Sequence, residues 1–541
     1  MQYPENARLV FRPIGGIGDG AGQIGGNCYF LQDAKTLASF GIDAGEIVKR
    51  EQYKQKLAED YLPDASLLGD ADSRDVVFWL ASHGHRDHLN PKAIAKLTKR
   101  LKSAIPLLAS ETALQYLELE IRQVARDMAE SSVMSDRMKK EVLEKELRNI
   151  DISDSNRKRG LRAEIRRLEG ETKREFGKVY GETIRRLTPE NLLKSKKHGT
   201  SEYAYMLPED KRIISPNGHF AGNLKIIPFL ANHSIPGTYC FLVEGNGARV
   251  VFLSDCKLNG YKPEDRERFE QFLRNISARG PVDLVIIDAL NATIPGIIPM
   301  ESIVIDNVEK IIVDCLARGK KIIISGFASN LERMRRFAKV VERHTEMPPA
   351  YLGGAMFSGA RFNGLEPKKP KDFSDWLVVI ATGSQSEDGF SGSGHSMTSA
   401  LIKMIRGESD ITLDENCAVI LSSRAIPGTK NNPGSEKDIQ DMVCRMDARG
   451  VEVYLNKGEK ENLMIPDACR NVFEREIHVS GHEASGGKKI ILSILGESSS
   501  PDRPMKVVPY HAEMKEMMAM EALLPEHAEL VIMKNGETLI I

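Results

Sequence analysis

Short apolar runs alternate with longer stretches in which apolar residues recur at helical spacing along most of the 541-residue chain. Each run is followed within a few residues by Ser, Gly, Asp or His. Runs of this length are typical of buried strands, and the alternation predicts an α/β architecture with polar loops at the strand ends. The predicted strands include residues 76–80, 226–230, 250–253, 284–287, 322–324, 377–380 and 419–421.

One segment, residues 117–197, breaks this pattern because it has almost no strand signal and is dense in charge. Its apolar residues recur at helical spacing, and turn-forming residues at 151–156 divide it. The pattern predicts two or more amphipathic helices that form a hairpin. Residues 157–197 contain 14 Lys or Arg against 6 acidic residues, so the second half of the hairpin is basic.

The overall composition excludes several classes of protein. The chain has 75 basic and 76 acidic residues, so it lacks a global polyelectrolyte signature, although a local basic groove stays open. No apolar run approaches the roughly 18 residues of a membrane span, and the first residues lack the layout of a signal peptide. The seven cysteines never form a CxxC pair, which argues against a disulfide framework or a cysteine-built zinc site. We therefore expect a cytoplasmic protein without membrane contact.

The sharpest chemical feature is the sequence HGHRDH directly after the first of these strands, with His83, His85, Asp87 and His88. Histidine and carboxylate side chains are common metal ligands, and this spacing can present them to two neighbouring ions. A polar loop without metal is the alternative, but three of the twelve histidines lie within these six residues. The motif therefore predicts a dinuclear metal site.

Two later residues can complete such a site because each follows a predicted strand. His233 comes after the strand at 226–230, and Asp255 comes after the strand at 250–253. Either residue alone would be an ordinary loop residue, but their order behind the HGHRDH sequence makes a pattern. That pattern resembles the metallo-β-lactamase superfamily, in which Asp43 would match an aspartate that orients metal ligands.

Later motifs narrow the resemblance to the β-CASP nucleases of this superfamily, and within them to the ribonuclease J group. Asp288 lies in a segment similar to the first β-CASP motif, His482 ends a segment (478–482) similar to the second, and His511 lies in one (509–513) similar to the third. The resemblance implies a metallo-β-lactamase αββα sandwich with an inserted β-CASP α/β domain and an extra helical hairpin. It places the split sandwich at 1–295 and 471–541, the basic helical insert at 117–200 and the β-CASP domain at 296–470.

The resemblance also implies roles for individual residues. One zinc ion would be held by His83, His85 and His233, and a second by Asp87, His88 and His511, with Asp255 bridging the two. Manganese is an alternative to zinc. Asp87, Asp288 and His482 would be catalytic, with His482 stabilising the transition state or protonating the leaving oxygen and Asp288 orienting it.

Polar loops at the ends of three later strands resemble segments of ribonuclease J and could hold substrate phosphates through backbone N–H groups and hydroxyls. Taken singly, each is an ordinary turn. The candidate residues are Ser329, Asn330, Gly383, Ser384, Gln385, Ser422 and Ser423.

The implied function is a zinc-dependent ribonuclease that cuts single-stranded RNA endonucleolytically, from the 5′ end, or both. Hydrolysis by a hydroxide activated by two metals would leave a 5′-phosphate. A histidine at position 511 resembles the RNA-processing branch, where DNA-processing relatives commonly have valine. A nuclease for DNA or another phosphodiester, and a non-catalytic RNA-binding scaffold, stay open as alternatives.

Two further segments have competing interpretations. The glycine-rich stretch 15–22 suggests a dinucleotide-binding turn, but the next run, 27–31, is strand-like, which favours a β-hairpin near the active site. The helical insert could be a passive surface feature. Alternatively, its basic excess could place it near the RNA path or at an interface with a protein partner or a second copy of the chain.

Overall fold

A computed structural model describes residues 3–18, 22–49, 62–68, 76–101, 107–149, 155–187, 204–207, 219–362, 365–372, 375–384, 399–425 and 436–541. Its β-strands are β1 Leu9–Gly15, β2 Gly22–Gly25, β3 Cys28–Asp33, β4 Ser39–Ile42, β5 Ile47–Lys49, β6 Val76–Leu80, β7 Leu107–Ser110, β8 Ala204–Leu207, β9 His219–Ala221, β10 Leu224–Leu230, β11 Tyr239–Gly245, β12 Ala248–Leu253, β13 Leu284–Asp288, β14 Lys321–Gly326, β15 Ala350–Leu352, β16 Val378–Ala381, β17 Cys417–Ser422, β18 Glu452–Asn456, β19 Val472–Arg475, β20 Met505–Tyr510, β21 Ala512–Glu513, β22 Ala528–Leu530 and β23 Leu539–Ile540.

Its α-helices are α1 Pro91–Leu101, α2 Glu111–Asn149, α3 Ser155–Leu187, α4 Pro263–Ser277, α5 Glu301–Ala317, α6 Leu331–Thr345, α7 Gly354–Phe362, α8 Ala400–Arg406, α9 Glu436–Asp447, α10 Glu459–Asn462, α11 Ser485–Gly496 and α12 Met514–Ala519. Short 3₁₀ turns occur at Ala65–Leu67, Pro370–Asp372 and Met520–Leu523. All seven strands predicted from apolar runs are present, with small differences at their ends. None of the described helices is long and apolar enough to cross a membrane.

Two seven-stranded sheets face each other. Their strand orders are β23-β1-β3-β4-β6-β7-β8 and β22-β20-β13-β12-β11-β10-β9. Successive side chains of a strand point to opposite faces, so Tyr29 and Leu31 of β3 enter the core between the sheets, whereas Cys28 and Phe30 face a second core that contains residues of α1 and α2. On the second sheet, Phe229 stacks on Phe272 of α4 at a ring distance of 4.1 Å.

A third sheet has six strands in the order β15-β16-β14-β17-β18-β19, and all its pairings are parallel. Apolar clusters cover both faces, one including residues of α5 and α6 and the other residues of α8 and α9. Parallel sheets are usually buried in this way because the crossover helices cover them. The last strand, β19, pairs with β18 and ends at Arg475, five residues beyond the expected domain boundary at 470.

The helical insert is a hairpin, as its periodicity predicted. Helix α2 has 39 residues and α3 has 33, and the two helices pack against each other along their length. The first turns of α2 carry Leu117, Ile121 and Val124, which are buried in the core beside α1. Of the predicted turn at 151–156, Ser155 and Asn156 already belong to α3, and residues 151–154 lie outside the described residues, as does the end of the insert at 188–200.

The glycine-rich stretch does not lead into a helix. Strand β1 ends at Gly15, and the next described elements are the strands β2 and β3. Strands β1 and β3 pair antiparallel, so the dinucleotide-binding interpretation does not apply. The backbone N–H of His511 donates to the carbonyl of Gly16 at 2.9 Å, which brings this segment to the candidate site.

Candidate metal centre

The HGHRDH loop follows the end of β6, and Asp43 follows the neighbouring parallel strand β4. The fully buried Asp43 carboxylate accepts from the backbone N–H of Ser82 at 2.7 Å and lies 2.7 Å from His88 Nδ1. If His88 carries its proton on Nδ1, this N–H donates to Asp43. The other ring nitrogen, Nε2, then faces Asp255 Oδ2 at 2.9 Å. Burial alone would lower the pKa of His88, but the carboxylates of Asp255 and Asp43 raise this pKa well above its ordinary value.

Three of the histidines named in the sequence analysis, His83, His85 and His233, converge on one point. His85 Nδ1 lies 3.1 Å from His83 Nε2 and 3.1 Å from His233 Nε2. When three nitrogens bind the same tetrahedral zinc ion at about 2.0–2.1 Å, they lie about 3.3 Å from one another. The observed distances of 3.1 Å between the ring nitrogens therefore fit a metal ion. His233 Nδ1 lies 2.9 Å from the Gly481 carbonyl, which can orient the ring.

These three rings are poor bases. Burial, reinforced by the neighbouring histidines, lowers the pKa of His83 and His233 well below the ordinary value. Burial also lowers the pKa of His85 to about 4. The rings are therefore neutral near pH 7, which is the form that binds a metal.

A second cluster contains Asp87, His88, Asp255 and His511, with one ligand atom of each within 4.8 Å of the others. His511 Nε2 lies 3.7 Å from Asp87 Oδ2 and 3.9 Å from Asp255 Oδ2. Asp255 Oδ2 is also 4.0 Å from His83 Nε2, so this carboxylate lies between the two clusters. Burial alone would raise the pKa of Asp255, but His511 and His88 lower this pKa well below its ordinary value.

The third predicted group lies beside them. His482 Nδ1 is 2.9 Å from Asp288 Oδ2 and 3.8 Å from Asp255 Oδ2. Burial opposes protonation, but Asp288 and Asp255 raise the pKa of His482 above its ordinary value. Asp288 therefore holds the His482 ring beside the two clusters and favours its protonated form.

Several residues that the sequence did not single out also reach the site. Asn27 Nδ2 lies 2.7 Å from His88 Nε2 and 3.0 Å from His511 Nδ1, and Lys488 Nζ lies 3.5 Å from Asp288 Oδ2. Asn27 is the first residue of the strand-like run 27–31, and neither this asparagine nor an isolated lysine on a helix carries a signal in the sequence. Only the tertiary contacts identify either residue.

Tyr116, near the start of α2, joins the helical hairpin to the site. Its hydroxyl donates to the Ser329 carbonyl at 2.6 Å, and it packs with Ile235 near His233. It also covers Gly84 of the HGHRDH loop so closely that a Cβ on Gly84 would lie 2.6 Å from Tyr116 Cβ. One buried side chain thus contacts both ligand loops of the three-histidine cluster and a loop of the six-stranded sheet.

A buried ion network lies behind the centre. Glu301 accepts from Lys257 Nζ at 2.7 Å and from Arg333 Nη2 at 2.9 Å, and all three side chains are almost fully buried. Lys257 is two residues from Asp255 and also donates to the Ser480 carbonyl at 3.1 Å, two residues from His482. Arg333 and Lys257 lower the pKa of Glu301 to about 2 even though burial alone would raise it. The network therefore connects the loop of Asp255, the His482 segment and α6.

The candidate phosphate loops follow β14, β16 and β17, which are neighbouring parallel strands, so they lie at the same edge of the six-stranded sheet. Asn330 caps α6 by accepting from the Arg333 N–H, and the Ser422 hydroxyl donates to the Ile477 carbonyl at 2.6 Å. Ser384 is buried, and its hydroxyl has no hydrogen-bond partner in the described parts of the chain. Gln385 lies outside the described residues.

Fold and site together define an α/β protein with clustered histidine and carboxylate side chains that could hold metal ions. No protein-family model matches the chain. It is 26% identical to ribonuclease J of Mycolicibacterium smegmatis over 331 residues (57% of this chain, 51% of that protein) and 29% identical to ribonuclease J of Sinorhizobium meliloti over 335 residues (57% and 50%). By these similarities the chain is ribonuclease J-like, and it spans about half the length of these curated relatives.

A solved structure shares the fold along the whole chain. It is a protein of unknown function from Enterococcus faecalis V583, with a TM-score of 0.50 and 14% sequence identity, covering 99% of this chain and 100% of that one. At this identity the likeness concerns the fold alone.

Proposed function

We propose that this chain is a metal-dependent ribonuclease. In this proposal the facing seven-stranded sheets form a metallo-β-lactamase domain, and the six-stranded parallel sheet belongs to a β-CASP domain inserted before the His482 segment. The observation that carries the proposal is the convergence of His83, His85 and His233 beside the Asp87–His88–His511 group, with Asp255 between them. The similarity to ribonuclease J supports RNA as the substrate.

In the proposed site, His83, His85 and His233 would hold one zinc or manganese ion and Asp87, His88 and His511 would hold the other, with the Asp255 carboxylate between the two groups. Two ions bound there would supply an acidified water, with a pKa lowered from about 15.7 toward 7, and would neutralise phosphate charge. Asp43 fixes the ring of His88, and the Gly481 carbonyl fixes the ring of His233. These contacts hold the ligand nitrogens in place before the substrate arrives.

The reaction is hydrolysis of an RNA phosphodiester bond that leaves a 5′-phosphate on the product. His482, held by Asp288, donates a proton or a hydrogen bond to the oxygen that leaves phosphorus. The loops at Ser329, Ser384 and Ser422 lie at one sheet edge and supply backbone N–H groups for RNA phosphates. Endonucleolytic and 5′-to-3′ exonucleolytic cleavage are both compatible with this arrangement.

The test of this function is digestion of end-labelled RNA with either a 5′-monophosphate or a 5′-triphosphate, beside single-stranded DNA of the same sequence. We expect cleavage of RNA with 5′-phosphate products, and none with the Asp87→Asn variant. Preferential cleavage of the DNA would favour a DNA nuclease. Binding of RNA without cleavage by metal-loaded protein would favour a scaffold.

Metal analysis tests the site separately from the substrate. The purified protein should carry close to two metal ions per chain, because seven candidate ligands converge in two groups. His85→Ala should lose metal and activity together, whereas His527→Ala, at a partly exposed histidine paired with Glu526, should keep both. Active protein without a bound transition metal would contradict the proposed site.

A further inference from the structure

Helix α3 carries a row of basic side chains on a face that α2 does not cover. Arg159, Arg162, Arg166 and Lys173 are exposed, and their spacing of three, four and seven residues aligns them along the helix. The face of α3 that packs on the hairpin partner is different and carries Leu161, Ile165 and Leu168, which are buried. The row of four basic residues is here called the basic face.

No carboxylate of the described residues forms an ion pair with the basic face. The acidic side chains nearby are engaged elsewhere: Glu169 with Lys140 of α2 at 2.8 Å, and Glu171 with Arg167 at 3.2 Å. Between residues 157 and 167 the chain has six basic residues and one acidic residue. The basic face therefore keeps a positive potential that a polyanion can neutralise.

The same face is open to a partner. Gly170 and Gly177 follow Arg166 and Lys173 by four residues and so lie on the same face, and a Cβ at either position would meet nothing within 4 Å. Nothing in the described chain covers this side of α3. At these two glycines a partner can therefore reach the helix backbone beside Arg166 and Lys173 without displacing a side chain of the described residues.

The position of the hairpin favours the substrate as that partner. The first turns of α2 lie at the candidate metal centre, where Tyr116 contacts the HGHRDH loop and Ser329. Arg157 pairs with Glu146 at 2.7 Å, so the start of α3 lies beside a residue 30 positions along α2 from Tyr116. At 1.5 Å per residue this is about 45 Å along the helix axis. The helical hairpin thus begins beside the candidate metal centre, and the basic face begins at its far end.

We propose that the helical hairpin is an RNA-binding arm, in which the basic face of α3 contacts phosphates of the same RNA strand that enters the metal centre, remote from the bond being cut. This inference rests on the proposed function for its choice of polyanion. Contacts of this kind are independent of base sequence and add affinity that falls steeply with salt. The arm would then select RNAs long enough to span both surfaces.

Binding of fluorescently labelled RNA to the full chain, measured by anisotropy with a chelator present to stop hydrolysis, tests the arm. The variant Arg162→Gln/Arg166→Gln is compared with Lys139→Gln/Lys145→Gln, which removes two charges from exposed lysines of α2. Glutamine supports a helix nearly as well as arginine or lysine, so both variants should fold. The probes are a single-stranded RNA of about 40 nucleotides and a pentamer, each measured over a range of salt concentrations.

We expect the α3 variant to bind the long RNA several-fold more weakly at about 0.1 M salt, with a log–log salt slope smaller by about 1.4, since each lost contact removes about 0.7. The pentamer should bind all three proteins alike, and the α2 variant should match the wild type. Equal affinities and slopes for the two variants on the long RNA would overturn the proposal. Unchanged RNA binding with weakened binding to polyglutamate would overturn it in favour of an acidic protein partner.

These outcomes are separable from the proposed activity because binding is measured without hydrolysis. A chain that binds long RNA through the basic face but never cuts it would remove the proposed function and leave the arm in place. A chain that cuts RNA and binds it independently of Arg162 and Arg166 would remove only the arm.

Discussion

The candidate metal centre and the helical arm differ in the space around their glycines. A Cβ on Gly45, beside the ligand loop, would lie 1.6 Å from the carbonyl oxygen of Asp87, whereas a Cβ on Gly170 or Gly177 of α3 would meet nothing within 4 Å. The centre is built by backbone segments that touch one another from distant parts of the chain. The arm depends mainly on two helices and the stripe between them, so the two regions should respond differently to substitution.

Their charges differ in the same way. At the centre, Asp43, Asp255, Asp288 and Glu301 are buried and held by partners, and their pKa values are displaced by burial and by those partners. On the arm, most charges are exposed, and pairs such as Arg167–Glu171 follow helical spacing. Exposed pairs of this kind stabilise a helix by only about 0.3–0.5 kcal/mol, whereas removing one partner of a buried pair costs about 3–5 kcal/mol.

The largest effect that we predict at the centre is on catalysis. His482→Ala should keep both metals, because His482 is not among the seven candidate ligands, and should lower RNA cleavage by about 10²–10⁴-fold. Metal content and single-turnover cleavage rates measure the two effects. His344→Ala, on α6 at a histidine that contacts Glu309, is the control and should leave both unchanged. A cleavage rate equal to that of the wild type would exclude His482 from the mechanism.

The next effect concerns stability. Glu301→Gln should lower the free energy of unfolding by about 3–5 kcal/mol, because Lys257 and Arg333 would lose their buried counter-charge. Urea unfolding followed by circular dichroism would measure it. Glu309→Gln, on the same helix but beside the exposed Arg343, should cost less than about 1 kcal/mol.

The Glu301 network should also make stability depend on pH. The folded-state pKa of about 2 lies below the ordinary value of 4.5, so its contribution is present above pH 4.5 and is lost as the pH falls toward 2. The loss should be on the order of 3 kcal/mol for the wild type and absent from Glu301→Gln. An identical acid dependence of the two proteins would contradict this role for Glu301.

A smaller effect is expected where the two regions meet. Tyr116→Phe keeps the ring that covers Gly84 but loses the hydrogen bond to the Ser329 carbonyl, which should cost about 1 kcal/mol, or about fivefold, in kcat/KM for RNA. Tyr180→Phe, within α3, should leave kcat/KM unchanged. If both variants match the wild type, the hydroxyl of Tyr116 does not couple the arm to the site.

The smallest predicted effect is an increase in the stability of the folded protein. Gly170→Ala and Gly177→Ala on the open face of α3 should each stabilise the protein by about 0.5–1 kcal/mol, because alanine favours a helix more than glycine and nothing opposes its Cβ. Thermal unfolding should show a raised midpoint for the double variant, whereas Gly45→Ala should lower it by collision with the Asp87 carbonyl. Destabilisation by the α3 alanines would mean that this face is covered.

The periodicity of the chain was enough to predict the arm and the strands. Helical spacing of Leu161, Ile165 and Leu168 needs only the local chain to align these residues on one face, and they are buried on that face. The strand at 250–253 and its neighbours were visible for the same reason. The pairing of β19 with β18 in the parallel sheet leaves no local signal in the sequence, and the expected domain boundary at 470 precedes this strand.

The sequence by itself determined the order of the ligand motifs, their positions after predicted strands and the charge of the arm, because spacing and composition are local properties of the chain. Only the tertiary structure decided that His83, His85 and His233 converge to 3.1 Å contacts, that Asp255 lies between two clusters, and that Tyr116 joins the arm to the site. These contacts join residues far apart in the chain. Their distances and their displaced pKa values arise from how the sheets pack and exclude water, which no local pattern records.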